Sequence, residues 1–564
     1  MKMHRTTIIA SVLVPLLFAA APRAHAQTGI NSTVEVERDY EGSIARAVKY
    51  PVDAPVEDSL LNFKLDFDYT TFYSPYKDLY EFAPMMTLGP ASEGRTVYPW
   101  LYAVLAAAWP LTPSAELAVT PRLGDRFSLG FYAAHDSFWG NVPQVGTAGA
   151  GGRPVLTGET VSGDRMKNRA GAAFGYRWRK GELKLGASYS GSMYALAPVE
   201  DFSSYRALNT FDHLRAGLSV RSANPDSDAF YYDLNVDYRY FNDRQYIAEH
   251  LADAEVSLGA TVRREHKIYL RFAGTFSDYG VWKISPMYRW AGDRWRIKAG
   301  VTFSSAYGGR ISDGNQGIIS SSNRFLIHPD ASVTFEAARN ALWLYMKAYG
   351  DNRLYTLYEL FSINPWMDHS DIPHLSSTPI AAELGLRGQV RDRFSYSVGA
   401  NYSYVRNMLA FMSMQQGQSV YQSPAGGVSH VFTASGALRW KSRDFLASAE
   451  FSYRAFSDPD AALMMPAFDL NAVLEYNLRQ RLFIRADCYF RTSAVGEYFG
   501  AGASVPVRYD VPAFVDLGLR ISYAFNMHVT AFVEGNNLAN NKIQYFLNYL
   551  EPGINIGAGI CLRF

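Results

Sequence analysis

Cysteine is nearly missing from this chain of 564 residues: Cys488 and Cys561 are the only two. Net charge is nearly missing too, with 54 Lys and Arg against 53 Asp and Glu, a balance of +1. That removes the electrostatic case for a nucleic-acid partner, which requires a basic patch or a high pI. Charged residues make up only 19%, below the roughly 25% of ordinary soluble domains. After Ala26 no apolar run approaches the roughly 18 residues that a spanning helix needs. The longest, Trp100 to Trp109, stops at Pro110. There is no His/Cys metal spacing, no calcium-loop spacing and no glycine loop fit to cradle a phosphate, so no cofactor or metal is expected.

What the chain does have is aromatic residues, 15% of the total, a composition that argues against disorder and suits anchoring at membrane–water interfaces. The N-terminus reads as a secretory signal over residues 1–26. Lys2, His4 and Arg5 lead an apolar stretch from Ile8 to Ala20, and Ala24-His25-Ala26 is a cleavage site before Gln27. Residues 27–96 form a separate polar segment, and from Val97 to Phe564 the dominant signal is period-2 alternation. Leu183, Leu185, Ala187 and Tyr189 alternate with Lys184, Gly186 and Ser188; Val515, Leu517, Leu519 and Ile521 alternate with Asp516, Gly518 and Arg520. One face of each strand is apolar and the other polar or glycine.

A soluble antiparallel sheet with one wet face would give the same alternation. The segments are longer than ordinary strands, about five or six residues, and match the 9–11 tilted residues that cross a bilayer. Connections alternate in length. Short polar turns at Arg179–Glu182, Arg391–Arg393, Lys441–Asp444 and Arg479–Arg481 separate long segments at Asn141–Gly163, Tyr307–Ser322, Thr356–Thr378 and Val495–Tyr509. Short turns on one side and long loops on the other define an outer-membrane barrel. The expected fold is all-β, a large transmembrane antiparallel β-barrel of about 22 strands, with 20 as the alternative. Even parity puts both termini in the periplasm. The first strand, Val97–Trp109, is the least clear because it does not alternate. By parity Cys488 belongs to the apolar face and Cys561 to the polar face, so two free thiols are expected.

The closing strand places Ile554, Ile556, Ala558, Ile560, Leu562 and Phe564 on one face. An alternating last strand with a terminal Phe resembles the signal read by the barrel assembly machinery, with Ile560, Leu562 and Phe564 as its residues. Before it stand Gly535-Asn536-Asn537-Leu538, Lys542-Ile543-Gln544-Tyr545 and Glu551-Pro552-Gly553. These motifs resemble the end of TonB-dependent receptor barrels. The resemblance implies energised nutrient uptake through a 22-stranded barrel closed by an N-terminal plug. The 70 residues from Gln27 to Thr96 are about half a usual plug and lack its glycine-rich signatures. That departure resembles the plugless TonB-receptor-like barrels of the Bacteroidota. Thr33-Val34-Glu35-Val36 resembles a TonB box, a strand former that pairs by β-augmentation; a periplasmic tail docked on the barrel rim is the plainer alternative. Phe63, Leu65, Phe67, Tyr69, Tyr76, Tyr80 and Phe82 give Asp58–Pro90 more apolar surface than a free tail exposes, and part of it is expected to cover the barrel mouth.

Three functions follow as expectations. The first is solute uptake by a receptor-like barrel, with outer-membrane lipid around it and TonB or another outer-membrane or periplasmic protein as partner. The second is a structural subunit of a larger outer-membrane assembly. The third is a lipid-modifying hydrolase: His135 and Ser137 share one strand face before a long loop, and a Ser–His pair can carry acyl transfer. This pair resembles the H-x-S of outer-membrane phospholipases and lipid A deacylases. Those enzymes need a third group to orient the histidine, and the sequence identifies none. The pair is therefore read as part of an interfacial polar ring, and no enzymatic activity is expected. Arg485, Asp487 and Arg491 face inward and either line a solute path or pair with each other.

Overall fold

The computed structural model describes residues 100–564, apart from residues 125, 147–153, 224–229, 263–264, 309–323, 340, 392 and 480. The signal segment, Thr33–Val36 and Asp58–Pro90 lie outside the described residues. One sheet of 22 antiparallel strands dominates. In chain order its strands are β1 (Leu101–Trp109), β2 (Ser114–Val119), β3 (Phe127–Phe138), β4 (Arg165–Trp178), β5 (Gly181–Ala195), β6 (Leu208–Ser222), β7 (Phe230–Asn242), β8 (Ala248–Val262), β9 (His266–Phe276), β10 (Gly280–Ala291) and β11 (Trp295–Tyr307). The second half comprises β12 (Arg324–Ala338), β13 (Leu342–Tyr355), β14 (His374–Val390), β15 (Phe394–Arg406), β16 (Val428–Lys441), β17 (Phe445–Phe456), β18 (Phe468–Leu478), β19 (Leu482–Arg491), β20 (Phe514–Ala524), β21 (Val529–Asn536) and β22 (Asn555–Arg563). Each strand pairs with its sequence neighbour, and β22 closes on β1 with Ala103 opposite Leu562 and Leu105 opposite Ile560. The seam ends at the last residue: Phe564 N–H donates to Leu101 O at 2.9 Å, and Leu101 N–H returns to Phe564 O at 3.2 Å. Closure leaves no open edge, which hydrocarbon would penalise.

The alternation maps directly onto the two faces of the wall. Leu185, Ile268, Leu270, Leu384, Leu474 and Ile560 are among the exposed large apolar residues, and all point outward. On a soluble protein such a surface would drive association; on a barrel it is the lipid face. Trp178, Trp295, Trp440 and Tyr523 stand at the short-turn end, where a girdle belongs. Inward positions carry paired charges: Arg215 with Asp237, Arg271 with Glu255, Lys298 with Asp330, Lys347 with Glu383 and Arg520 with Glu534. Charge paired across strands is stable in a polar lumen.

The first strand is real and begins at Leu101. It fails to alternate because its inner face is apolar as well. Tyr102 and Val104 pack with Ala118, Phe532 and Cys561 in a small cluster on the inner wall. Cys561 is thus inside, Cys488 is on the outward face, and both thiols are free. The turn from β1 to β2 is short although it lies at the long-loop end, so the rim dips there.

Candidate functional site

Among the described residues, several of the long loops fold together. Between β13 and β14 lies a short helix, α1 (Leu357–Ile363). Thr356 begins it as an N-cap, its hydroxyl accepting from Glu359 N–H at 3.2 Å. The Glu249 carboxylate on β8 accepts from Leu357 N–H at 3.1 Å and from Tyr358 N–H at 2.9 Å, which bolts the helix to the wall. The loop between β15 and β16 is a hairpin, Ala410–Gln416 against Ser419–Ala425, turned at Gly417, whose φ of 57° suits glycine. Between β19 and β20, Ala494–Phe499 pairs with Val507–Val511; between β3 and β4, Asn141–Gly146 pairs with Val155–Ser162.

These pieces meet across the mouth. Ala197–Pro198, after β5, pairs with Ser419–Val420 before β16, although those strands stand nearly opposite on the ring. The Ala410–Gln416 strand of the hairpin runs parallel to Ala494–Phe499, with Ser413 opposite Tyr498. Beneath the backbone lies a buried apolar core that includes Phe361, Met367, Phe411, Met464, Phe546 and Tyr549. Phe411 meets Phe546 edge-on at 5.5 Å, and Trp366 stacks on Tyr549 at 4.4 Å. Several buried amide and hydroxyl donors find acceptors across loops. Asn209 Nδ2 donates to Pro365 O at 3.0 Å and Met367 O at 2.9 Å. Gln422 Nε2 donates to Ser413 Oγ at 2.7 Å and Leu547 O at 3.0 Å, and the Tyr549 hydroxyl donates to Val420 O. This is a folded cap, built like the interior of a small domain.

Aromatic and acidic groups cluster within the cap beside the β7–β8 turn. His369 stands edge-on to Tyr246 at 6.1 Å and to Tyr421 at 6.4 Å, and its Nδ1 meets Asp243 Oδ2 at 2.7 Å. Asp243 lies below the usual carboxylate range: burial pushes it up, but backbone N–H groups of Ile247, Gln245 and Tyr246 and the His369 ring together outweigh that. Asp371 goes the other way. Burial drives its carboxyl well above the usual range and nearby Asp368 adds to this, against the Ser423 hydroxyl that donates to it at 2.8 Å. Burial also raises the Tyr421 phenol, with Asp368, Tyr205 and Tyr246 adding to the shift.

The residues singled out in the sequence fall in distinct places. Ile560 and Leu562 face outward on β22, and Phe564 stacks on His528 at 5.1 Å beside the seam. Gly535 and Asn536 end β21, and Asn537 turns the chain in the left-handed region at φ 46°. Its side chain accepts from Asn541 N–H at 3.0 Å and donates to Pro552 O at 3.1 Å, tying together the segment that feeds Tyr545–Tyr549 into the cap. Leu538 N–H donates to Leu517 O at 2.9 Å. Arg485 pairs with Asp487 at 3.0 Å and Glu475 at 3.2 Å, so these charges are mutually satisfied. Arg491 is instead a strut of the cap, donating to Met464 O at 2.9 Å with its guanidinium over the Phe514 ring. His135 and Ser137 do meet, Nε2 to Oγ at 3.0 Å, and Asn168 on β4 takes the other ring nitrogen at 2.7 Å. Sequence reasoning missed Asn168 because its neighbour is set by cross-strand register.

A closed 22-strand antiparallel barrel with a polar lumen and an apolar exterior is the architecture of the large outer-membrane receptors. Among solved structures the chain is similar to TonB-dependent receptors. The FrpB iron transporter from Neisseria meningitidis matches with a TM-score of 0.61 at 11% identity, over 83% of this chain and 81% of that one. The copper transporter OprC matches at 0.58 and 14% identity, over 83% and 82%. The siderophore receptor PirA from Acinetobacter baumannii matches at 0.58 and 10% identity, over 82% and 80%. No family model and no curated protein sequence matches the chain.

Proposed function

We propose that the chain is an outer-membrane, TonB-dependent-receptor-like barrel for uptake of a scarce solute, with its outer mouth closed at rest by its own loops. The observation that carries this reading is the cap, in which Ala197–Pro198 and Ser419–Val420 join loops from opposite sides of the ring over a shared apolar core. A passive pore keeps its mouth open. A folded loop roof over the mouth suits a barrel that opens for a captured ligand rather than leaking freely. The similar FrpB, OprC and PirA are an iron transporter, a copper transporter and a siderophore receptor, which supports nutrient uptake as the class of function.

Both termini lie in the periplasm in this reading, the long loops face outward, and the barrel assembly machinery inserts the chain. Residues 27–96 are too short for a full plug and act as a tail with partial lumen cover. Thr33–Val36 engages the sheet edge of a TonB-type periplasmic partner. The test is calorimetric titration of the full-length barrel in detergent with a TonB periplasmic domain. Binding is expected, and Val34→Pro, which removes a ladder N–H, is expected to weaken it by at least about tenfold. Failure of the wild-type protein to bind would contradict energised uptake.

A further inference from the structure

We propose that His135, Ser137 and Asn168 form a lipid-facing acyl-hydrolase site that cleaves ester-linked fatty acyl chains of the surrounding membrane lipid. This goes beyond the uptake reading and does not depend on it. On β3 the outward residues run Phe131, Ala133, His135, Ser137, and register sets Asn168 of β4 directly opposite His135. His135 Nε2 lies 3.0 Å from Ser137 Oγ, and His135 Nδ1 lies 2.7 Å from Asn168 Oδ1. An amide oxygen can only accept, so Nδ1 carries the ring proton and Nε2 is left free to take the serine's. The alternative acceptor for that hydroxyl, Pro113 O, is farther away at 3.4 Å. Nucleophile, base and orienting group therefore stand in the order that acyl transfer requires, with the imidazole oriented by Asn168.

Other histidines on the same outer wall are held differently. His250, His266 and His430 each bond a tyrosine hydroxyl on the adjoining strand, at 2.7, 2.6 and 2.7 Å. Those are girdle pairs with no nucleophile. Among the described outward histidines only His135 sits between a serine and an acceptor amide. The location also fits a lipid substrate. The site is at the long-loop end of the wall, beside the dip left by the short β1–β2 turn, where Trp109 and Leu111 project outward as strongly exposed apolar side chains. Ser137 itself is only 5% exposed, so the side chains packed around it beside that turn must move aside for an ester to reach Oγ.

In the reaction Ser137 Oγ bonds to the ester carbonyl carbon while its proton passes to His135 Nε2. The bond from that carbon to the lipid's alcohol oxygen breaks, and the departing oxygen takes the proton. Water then attacks the acyl-serine, giving its proton to Nε2; a fatty acid leaves and the serine regains its hydrogen. The N–H groups of Ser137 and Trp139 are already donated to Pro113 O and Leu111 O, so this face offers little to a developing oxyanion, and turnover is expected to be slow. Covalent capture of the serine is therefore the sensitive readout.

The experiment treats the full-length barrel in detergent with a fluorophosphonate probe, and in parallel with mixed micelles of phosphatidylethanolamine or of lipid A. Heat-modifiable mobility checks folding of every variant. Folded wild type is expected to be labelled at Ser137, with labelling abolished in Ser137→Ala and reduced about 10³-fold or more in His135→Ala. Asn168 is a positioning residue, so Asn168→Ala should lose labelling and Asn168→Asp, which keeps the acceptor oxygen, should restore it. Fatty-acid release from one micelle and not the other identifies the lipid. A folded wild-type barrel that is not labelled overturns the proposal, and labelling without release from either lipid overturns the assignment of a membrane ester as substrate.

Discussion

Asp371 shows how single residues set the behaviour of the cap. Its carboxyl is raised chiefly by burial, with Asp368 from its own loop beside it and Ser423 from the facing hairpin donating to it. An acid held above its usual value keeps its proton more firmly in the closed cap than in an open one. Its contribution to closure is therefore fullest below the ordinary carboxylate value of about 3.9, and is lost as pH rises through the raised value. Protease resistance of the Ser419–Ala425 hairpin should fall as pH is raised across that range, and Asp371→Asn should flatten the profile. Asp243 works in the opposite sense and lower down: its lowered value makes its contribution present at higher pH and lost on strong acidification. Phe546 is fully buried between Trp366 and Phe411. Phe546→Ala should cost the cap about 3–5 kcal/mol, seen as cleavage of loops at much lower protease concentration while the wall keeps its heat-modifiable mobility. At this scale the sequence was only partly legible. His135 and Ser137 could be placed on one face by parity, whereas Asn168 could not, because its neighbour depends on a register that local pattern does not encode.

Among the elements, strands were readable and loops were not. A strand with one lipid face and one wet face writes period 2 into its sequence, as β5 and β20 do. β1 hides the signal because its inner residues Tyr102 and Val104 are packed rather than wet. The cap left a weaker trace, apolar residues in loops that ought to be polar: Leu360 and Phe361, Met408 to Phe411, Leu463 to Met465, Tyr545 to Leu547. Each run is too short to carry a period, and the partners that bury it come from distant loops. The last strand makes its own prediction. Phe564 closes the seam through Leu101 and stacks on His528. Phe564→Ala should lower the amount of folded barrel in outer-membrane fractions, because partial burial of the ring stabilises the seam by about 1–2 kcal/mol. Deletion of β22 should abolish it, since β1 and β21 would then face lipid as open edges. Unchanged amounts of folded protein in either variant would count against the role given to the terminus.

As a whole molecule, a ring of 22 strands encloses a lumen wide enough to leak unless something closes it. The loop cap is one closure; residues 58–90, which lie outside the described residues, are our proposed second, a partial cover of the lumen. Strand number and closure followed from alternation and turn spacing; the identity of the lid did not, because lids are made where loops far apart in sequence meet. Conductance in planar bilayers tests the loop-closed barrel most directly, comparing the full-length protein, a variant lacking residues 410–425, and a variant lacking residues 58–90. The full-length barrel should show little or no conductance, and removing 410–425, the hairpin that joins opposite loops, should open large, steady channels, with removal of 58–90 adding to them. A full-length protein that already conducts as a wide open pore, or a hairpin deletion that stays sealed, would contradict closure by the cap.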